Sequence, residues 1–247
     1  MSTPLTNKTA LITGGSKGIG AATSLLLARS GANVVINYSS DSLAADALVK
    51  TIGSDRALAI KGDAGSIPAI EHMVSETVKR FGKIDILIPC AGMLLMKDLE
   101  HTSEEDFDGI MRLNVKGPYF LAQKAAPHMS SGSRIVLIST SQCTASTVTP
   151  AYLLYNATKG AIEQMTRVMS KDLAAKGICV NAVAPGPTGT DLFYKGKTEQ
   201  VLKMIAGFSP MGRIGKPEEI AEAIVWLGGG HSSWVSGQIL RANGGMA

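Results

Sequence analysis

Short apolar runs alternating with longer segments of helical period restrict this chain more than any other feature. Lys8–Thr13, Asn33–Tyr38, Arg56–Ile60, Lys83–Ile88, Arg134–Ser139, Ile178–Val183 and a short run near Gln238–Leu240 read as strands. Between them, Gly18–Ser30, Asp41–Ile52, Ile67–Phe81, Glu104–Met129, Tyr155–Ala175 and Pro217–Leu227 carry apolar residues at helical spacing. Strand, helix, strand repeated in this way requires parallel strands joined by crossover helices. The strands are apolar almost throughout, as expected when both sheet faces are covered. The expected fold is therefore α/β: one doubly wound, mostly parallel sheet of Rossmann type with helices on both faces. The 247 residues suffice for one such domain, and no Pro/Gly/Ser-rich linker divides them.

Two connections break the rhythm, Ser141–Leu154 and a longer one over about 185–213. Both leave the C-terminal ends of strands, where ligands sit in open α/β sheets. Loops of this length in a compact domain are usually functional. The second is expected to form a substrate lid over about 188–212, with a helix of its own inside Asp191–Gly207.

The net charge is +4, but its lysines and arginines are scattered, which argues against nucleic acid or an anionic membrane as partner. Three widely spaced cysteines and four scattered histidines show no ligand spacing, so no metal site is expected. The N-terminus lacks the apolar core of a signal peptide, and no apolar run reaches transmembrane length. A cytoplasmic location is expected.

Gly14-Gly15-Ser16-Lys17-Gly18-Ile19-Gly20 joins the first strand to the first helix. Glycines there allow a sharp turn and close approach to a pyrophosphate, while the helix N-terminus offers free N–H groups and a positive dipole. The second strand ends in Asn37-Tyr38-Ser39-Ser40, without the carboxylate that would receive a ribose 2′-hydroxyl and repel a 2′-phosphate. With Lys17 nearby as a cation, this favours NADP(H) over NAD(H). Asp41, a few residues on, argues the other way.

Tyr155-Asn156-Ala157-Thr158-Lys159 places a phenol and an ammonium on one helix face. A nearby ammonium stabilises phenolate and is expected to lower the tyrosine pKa towards a useful range. A single Tyr-x-x-x-Lys is a common coincidence; its meaning depends on its company.

That company resembles the short-chain dehydrogenase/reductase family. Thr13–Gly20, Asn114, Ser139–Ser141, Tyr155/Lys159 and Pro185-Gly186 occur in the family's order, and the similarity runs to the terminal VSGQILRANGG. Within the family the chain is similar to NADP-dependent 3-oxoacyl-reductase-like and fungal naphthol-reductase-like members. The resemblance implies a hydride transfer between nicotinamide and a small-molecule carbonyl or secondary alcohol. It makes Tyr155 the acid/base and gives Lys159 two roles, tuning Tyr155 and binding the nicotinamide ribose. Asn114 would hold a water in a proton relay. Ser141, fourteen residues before Tyr155, is favoured over Ser139 and then Thr140 as the hydroxyl on the substrate oxygen. Asp63 and Ala64 would meet the adenine side, Ala91 and Gly92 the turn at the cofactor, and Pro185, Gly186, Thr188 and Thr190 the carboxamide. Family members pair the equivalents of Glu104–Met129 and Tyr155–Ala175 across a two-fold axis, so a homo-oligomer, a tetramer, is expected, with Trp234 in a second contact.

The chain departs from the family at Pro89-Cys90-Ala91-Gly92, where Asn-Asn-Ala-Gly is usual. The lost amides remove hydrogen bonds that brace this turn. Leu192, Phe193, Tyr194, Met204, Ile205, Phe208 and Met211 read either as an apolar substrate pocket or as packing, and Leu94 and Met96 share that ambiguity. Two alternatives remain: an NAD-dependent alcohol dehydrogenase of the same fold, and a catalytically silent dinucleotide sensor. Intact Asn114, Tyr155 and Lys159 speak against the sensor.

Overall fold

A computed structural model describes residues 5–247. Its strands are β1 (Thr9–Thr13), β2 (Asn33–Tyr38), β3 (Ala57–Lys61), β4 (Ile86–Pro89), β5 (Arg134–Ile138), β6 (Cys179–Pro185) and β7 (Ile239–Ala242). They form one seven-stranded sheet in the order β3-β2-β1-β4-β5-β6-β7. Every pairing is parallel, so the sheet is wholly rather than mostly parallel. The strand order reverses between β1 and β4, which puts the ligand crevice of a doubly wound sheet above their C-terminal ends.

The period of two along each strand decides the layers. Leu11, Val35, Leu87 and Ile135 face a core shared with Ile70 and Met73 of α3 (Ile67–Phe81), Leu121 of α5 (Gly117–Ala125) and Ile162 of α6 (Leu153–Asp172). Their neighbours Ile12, Ile36, Ile88 and Val136 face the opposite core, against Leu27 of α1 (Gly18–Arg29) and Ile220 and Ile224 of α9 (Pro217–Gly228). Leu48, Val49 and Ile52 of α2 (Ser42–Ile52) pack on the edge of this second core. A fully buried side chain of this size contributes about 1.5–3 kcal/mol, so strands covered on both faces need apolar residues at nearly every position.

The segment expected as one helix over Glu104–Met129 is interrupted. It consists of α4 (Glu104–Met111), a widened π-type turn (Arg112–Lys116), α5, and a 3₁₀ turn (Ala126–His128). Pro118 lacks an N–H, so it cannot give the carbonyl of Asn114 the ordinary bond from four residues on. The helix of Tyr155 begins at Leu153 and ends at Asp172 rather than Ala175. β5 stops at Ile138, one residue before Ser139, whereas β6 runs on to Pro185. Over 188–212 the chain forms two short helices, α7 (Asp191–Tyr194) and α8 (Glu199–Ala206), each capped by a threonine, Thr190 or Thr198. Among the described residues no helix is long and apolar enough to cross a membrane.

Candidate active site

The glycine turn lies where β1 enters α1, and its backbone is packed too closely for side chains. Gly14 has φ +62°, and a Cβ there would stand 2.9 Å from Ala91 Cα in the turn after β4. A Cβ on Gly20 would meet the Gly14 carbonyl oxygen at 2.1 Å, which no real contact allows. No side chain caps α1, whose preceding residue Lys17 is extended (φ −140°, ψ 159°). Uncapped amides at Gly18, Ile19 and Gly20 beneath a bare backbone cradle fit a pyrophosphate. Ser16 is half-buried in the same turn.

The strand-end residues serve different purposes. Asn37 is buried, its Oδ1 accepting from Gly14 N at 3.3 Å and its Nδ2 donating to Ile60 O and Gly62 O at 3.2 and 2.9 Å. Its amide thus ties β1, β2 and β3 together, and the expected free edge for a 2′-phosphate shrinks to half-buried Tyr38 and exposed Ser39. Lys17 Nζ lies 2.6 Å from Asp41 Oδ2, which raises the lysine pKa and lowers that of the carboxyl. The Asp63 carboxylate accepts from Gly65 N at 2.8 Å and pairs with Arg112. Partial burial pushes this carboxyl up, but those two partners outweigh it and its pKa falls. Arg112 carried no signal in the sequence; it enters because the π-type turn crosses the end of β3. Ala64 is buried there, and a Cβ on Gly117 would lie 2.4 Å from its carbonyl oxygen.

The Pro89-Cys90 departure is compensated. Ala91 N donates to Thr13 Oγ1 at 3.3 Å, and beyond Gly92 the Asn114 amide grips Met93, accepting from its N–H and donating to its carbonyl, both at 2.9 Å. Asn114 also donates to Thr158 Oγ1 at 3.2 Å, one turn after Tyr155. Its buried side chain is therefore occupied as a brace. Burial pushes the Cys90 thiol up to about 11, with Lys159 opposing.

Tyr155 and Lys159 share the inner face of α6, with Lys159 Nζ 5.7 Å from the centroid of the phenol ring. The expected lowering of the tyrosine pKa is not what this geometry gives. Burial pushes the phenol up to about 12, against a hydrogen bond from the Thr140 hydroxyl. Lys159 Nζ instead donates to Ile138 O at 2.7 Å, and burial lowers its pKa to about 8. Desolvation wins because both groups are packed at the C-terminal end of β5, where charge is disfavoured whatever its sign.

The serine cluster resolves into separate tasks. Ser139 Oγ donates to Glu163 Oε1 at 2.9 Å, one turn beyond Lys159 on α6. That bond clamps the end of β5 to α6. Ser141 Oγ, buried, donates to Ala184 O of β6 at 3.1 Å. Glu163 and Thr158 were missed in the sequence as site residues, and Thr13 entered only as the first residue of the glycine motif; the four-residue spacing from Lys159 could have signalled Glu163.

On the nicotinamide side, Gly186 N donates to Ala242 O at 3.0 Å as Pro185 leaves β6. Thr188 Oγ1 donates to Gly186 O at 2.9 Å, and a Cβ on Gly18 would stand 2.9 Å from Thr190 Cγ2. The start of the 188–212 segment therefore rests on the glycine turn. Beyond it Leu192, Tyr194, Met204, Phe208 and Met211 are exposed, as are Met93 and Met96 after β4.

A wholly parallel sheet, a glycine cradle at its switch point and a half-buried Tyr155 paired with buried Lys159 beside Asn114 define a nucleotide-dependent oxidoreductase of the Rossmann class. A family model described as enoyl-(acyl carrier protein) reductase matches residues 14–247. The chain is 38% identical to versicolorin reductase 1 of Dothistroma septosporum, covering 98% of this chain and 96% of that one. It is 37% identical to the hydroxynaphthalene reductase-like protein Arp2 of Metarhizium robertsii, over 98% and 95%. A short-chain dehydrogenase of Burkholderia cenocepacia solved in complex with NADP superposes with a TM-score of 0.93 at 32% identity, covering 98% and 99%. The chain belongs to the short-chain dehydrogenase/reductase family, whose members use nicotinamide cofactors.

Proposed function

We propose that this protein is a cytoplasmic NADP(H)-dependent reductase of ketone-type carbonyls, able to run in reverse on secondary alcohols, with Tyr155 as general acid/base. The observation that carries this reading is the half-buried Tyr155 phenol with Lys159 Nζ 5.7 Å from its ring, at the C-terminal end of β5. The nucleotide, when bound in the Gly14–Gly20 cradle, supplies or accepts the hydride. Tyr155, held neutral with a pKa of about 12, gives its proton to the substrate oxygen as negative charge develops there. Lys159, with a pKa near 8, can exchange a proton near neutral pH and stabilises the phenolate that remains. The Asn114 side chain is committed to Met93, so the proposed relay water falls to its main-chain carbonyl, which Pro118 leaves without the usual helical donor. Thr140, whose hydroxyl reaches the Tyr155 phenol, supplies the group that steadies the substrate oxygen, whereas Ser141, favoured by its spacing, is buried and committed to Ala184 O and Ser139 to Glu163.

The segment 188–212 acts as the lid. Its exposed Leu192, Tyr194, Met204, Phe208 and Met211 fit a flat apolar substrate, and the similarity to a hydroxynaphthalene reductase-like protein supports an aromatic ketone. Preference for NADP(H) rests on Lys17 and the absence of a carboxylate in Asn37–Ser40. The active form is a homotetramer of closed symmetry.

The test is turnover of NADPH with aromatic ketones, quinones, β-keto esters and 3-oxoacyl thioesters. Aromatic ketones are expected to give the highest kcat/KM. Tyr155→Phe should lower kcat by about a hundredfold or more with unchanged NADPH affinity, and Thr140→Val should cost more than Ser141→Ala or Ser139→Ala. An unaltered kcat in Tyr155→Phe would overturn the mechanism.

A further inference from the structure

The cation that the NADP(H) reading depends on is already engaged. Lys17 Nζ lies 2.6 Å from Asp41 Oδ2, with both side chains open to solvent (58% and 36% exposed). The other oxygen of that carboxylate accepts from Ala44 N at 3.0 Å, capping α2. Asp191, at the start of the lid, also faces Lys17 and reinforces its charge. Lys17 is thus bordered by carboxylates from two elements, at the edge that Tyr38 and Ser39 leave open.

We propose that Asp41 is an internal competitor for the 2′-phosphate and sets the balance between NADPH and NADH; this rests on the reading of Lys17 as the 2′-phosphate cation. A phosphate reaching Lys17 must break the ion pair and approach the freed Asp41 carboxylate, and both effects weaken NADPH. NADH carries a 2′-hydroxyl there, which donates a hydrogen bond and finds in Asp41 an acceptor. Capping α2 does not require the charge, because asparagine caps a helix about as well as aspartate does and the helix dipole adds only a small, salt-screened gain for an exposed anion there. The charge of Asp41 is therefore separable from its structural role.

That separation makes the test clean. Asp41→Asn keeps the cap and removes the charge; Asp41→Ser does the same with a shorter side chain. Binding of NADPH and NADH is measured by fluorescence titration for the unaltered protein, both Asp41 variants, Lys17→Ala and Lys17→Ala/Asp41→Asn, with circular dichroism to confirm folding. Asp41→Asn is expected to lower the Kd for NADPH about two- to fivefold, a range set by exposed ion pairs. The Kd for NADH should stay constant or rise. Part of the gain should vanish in the Lys17→Ala background, and all gains should shrink at high salt. If Lys17→Ala erodes NADPH preference but neither folded Asp41 variant strengthens NADPH, the competitor role is refuted while the cofactor reading stands. If Lys17→Ala leaves the preference untouched, the reading of Lys17 itself fails, and this proposal with it.

Discussion

Replacing Lys159 with methionine should make the protein more stable at neutral pH while destroying its catalysis. The ammonium sits in a site whose desolvation lowers its pKa from 10.5 to about 8, with the Cys90 and Cys143 thiols opposing. At roughly 1.4 kcal/mol per pKa unit, keeping the charged form folded costs about 3 kcal/mol at pH 7. Methionine fills nearly the same volume without charge. It also removes the 2.7 Å bond to Ile138 O, and an unpaired buried carbonyl costs about 1–2 kcal/mol. The net expectation is a gain of about 1–2 kcal/mol at pH 7. Between pH 8 and 10.5 the unfolded chain holds a proton at this lysine that the folded chain has released, so the stability of the unaltered protein rises with pH there. The methionine variant lacks that rise, and its advantage should vanish or reverse by about pH 10. Tyr155, raised to about 12, loses stabilisation above pH 10 in both proteins and cancels in the difference. Urea unfolding of both proteins from pH 7 to 10, without added nucleotide, gives the comparison. A difference in stability that does not change with pH would refute the burial argument.

Two further perturbations probe the cradle and the assembly. Gly20→Ala should cost about 2–3 kcal/mol and weaken dinucleotide binding more than tenfold, because the new methyl meets the Gly14 carbonyl; an unchanged Tm and Kd would count against the cradle. The groove of about 770 Å³ between α5 and α6, lined by Tyr119, Met165, Val168 and Met169, together with fully exposed Trp234, should be covered by other copies of the chain. Light scattering at micromolar concentration should report four chains, and a single-chain mass would reject the assembly.

The polar residues of the site divide by what their neighbours leave them free to do. Asn37, Asn114, Ser139 and Asp63 all stand where the family resemblance puts functional groups, yet each has its side chain committed to the protein. Asn37 ties the glycine turn to the sheet, Asn114 ties the loop after β4 to α6, Ser139 joins the end of β5 to α6 through Glu163, and Asp63 holds Arg112. These bonds fix the backbone on which Tyr155, Lys159 and the glycine amides depend.

The fold was legible in the sequence because its two signals are local. Apolar strands with helical segments between them force a parallel sheet, and glycines directly after β1 force a tight turn at a helix N-terminus. The Tyr155/Lys159 pairing was legible for the same reason: four residues on a helix are always neighbours. What only the tertiary structure decided involves partners far apart in the chain. The rise of the Tyr155 pKa is set by burial in the folded site, which the four-residue spacing to Lys159 does not report. The commitment of Ser139 to Glu163 spans 24 residues, and the bracing of the Pro89-Cys90 turn by Thr13 Oγ1 spans 78. The interruption of the Glu104–Met129 segment turns on Pro118 and on the packing of Gly117 against Ala64 O. Local spacing names the groups that can react; long-range packing sets their protonation and decides which remain free to do so.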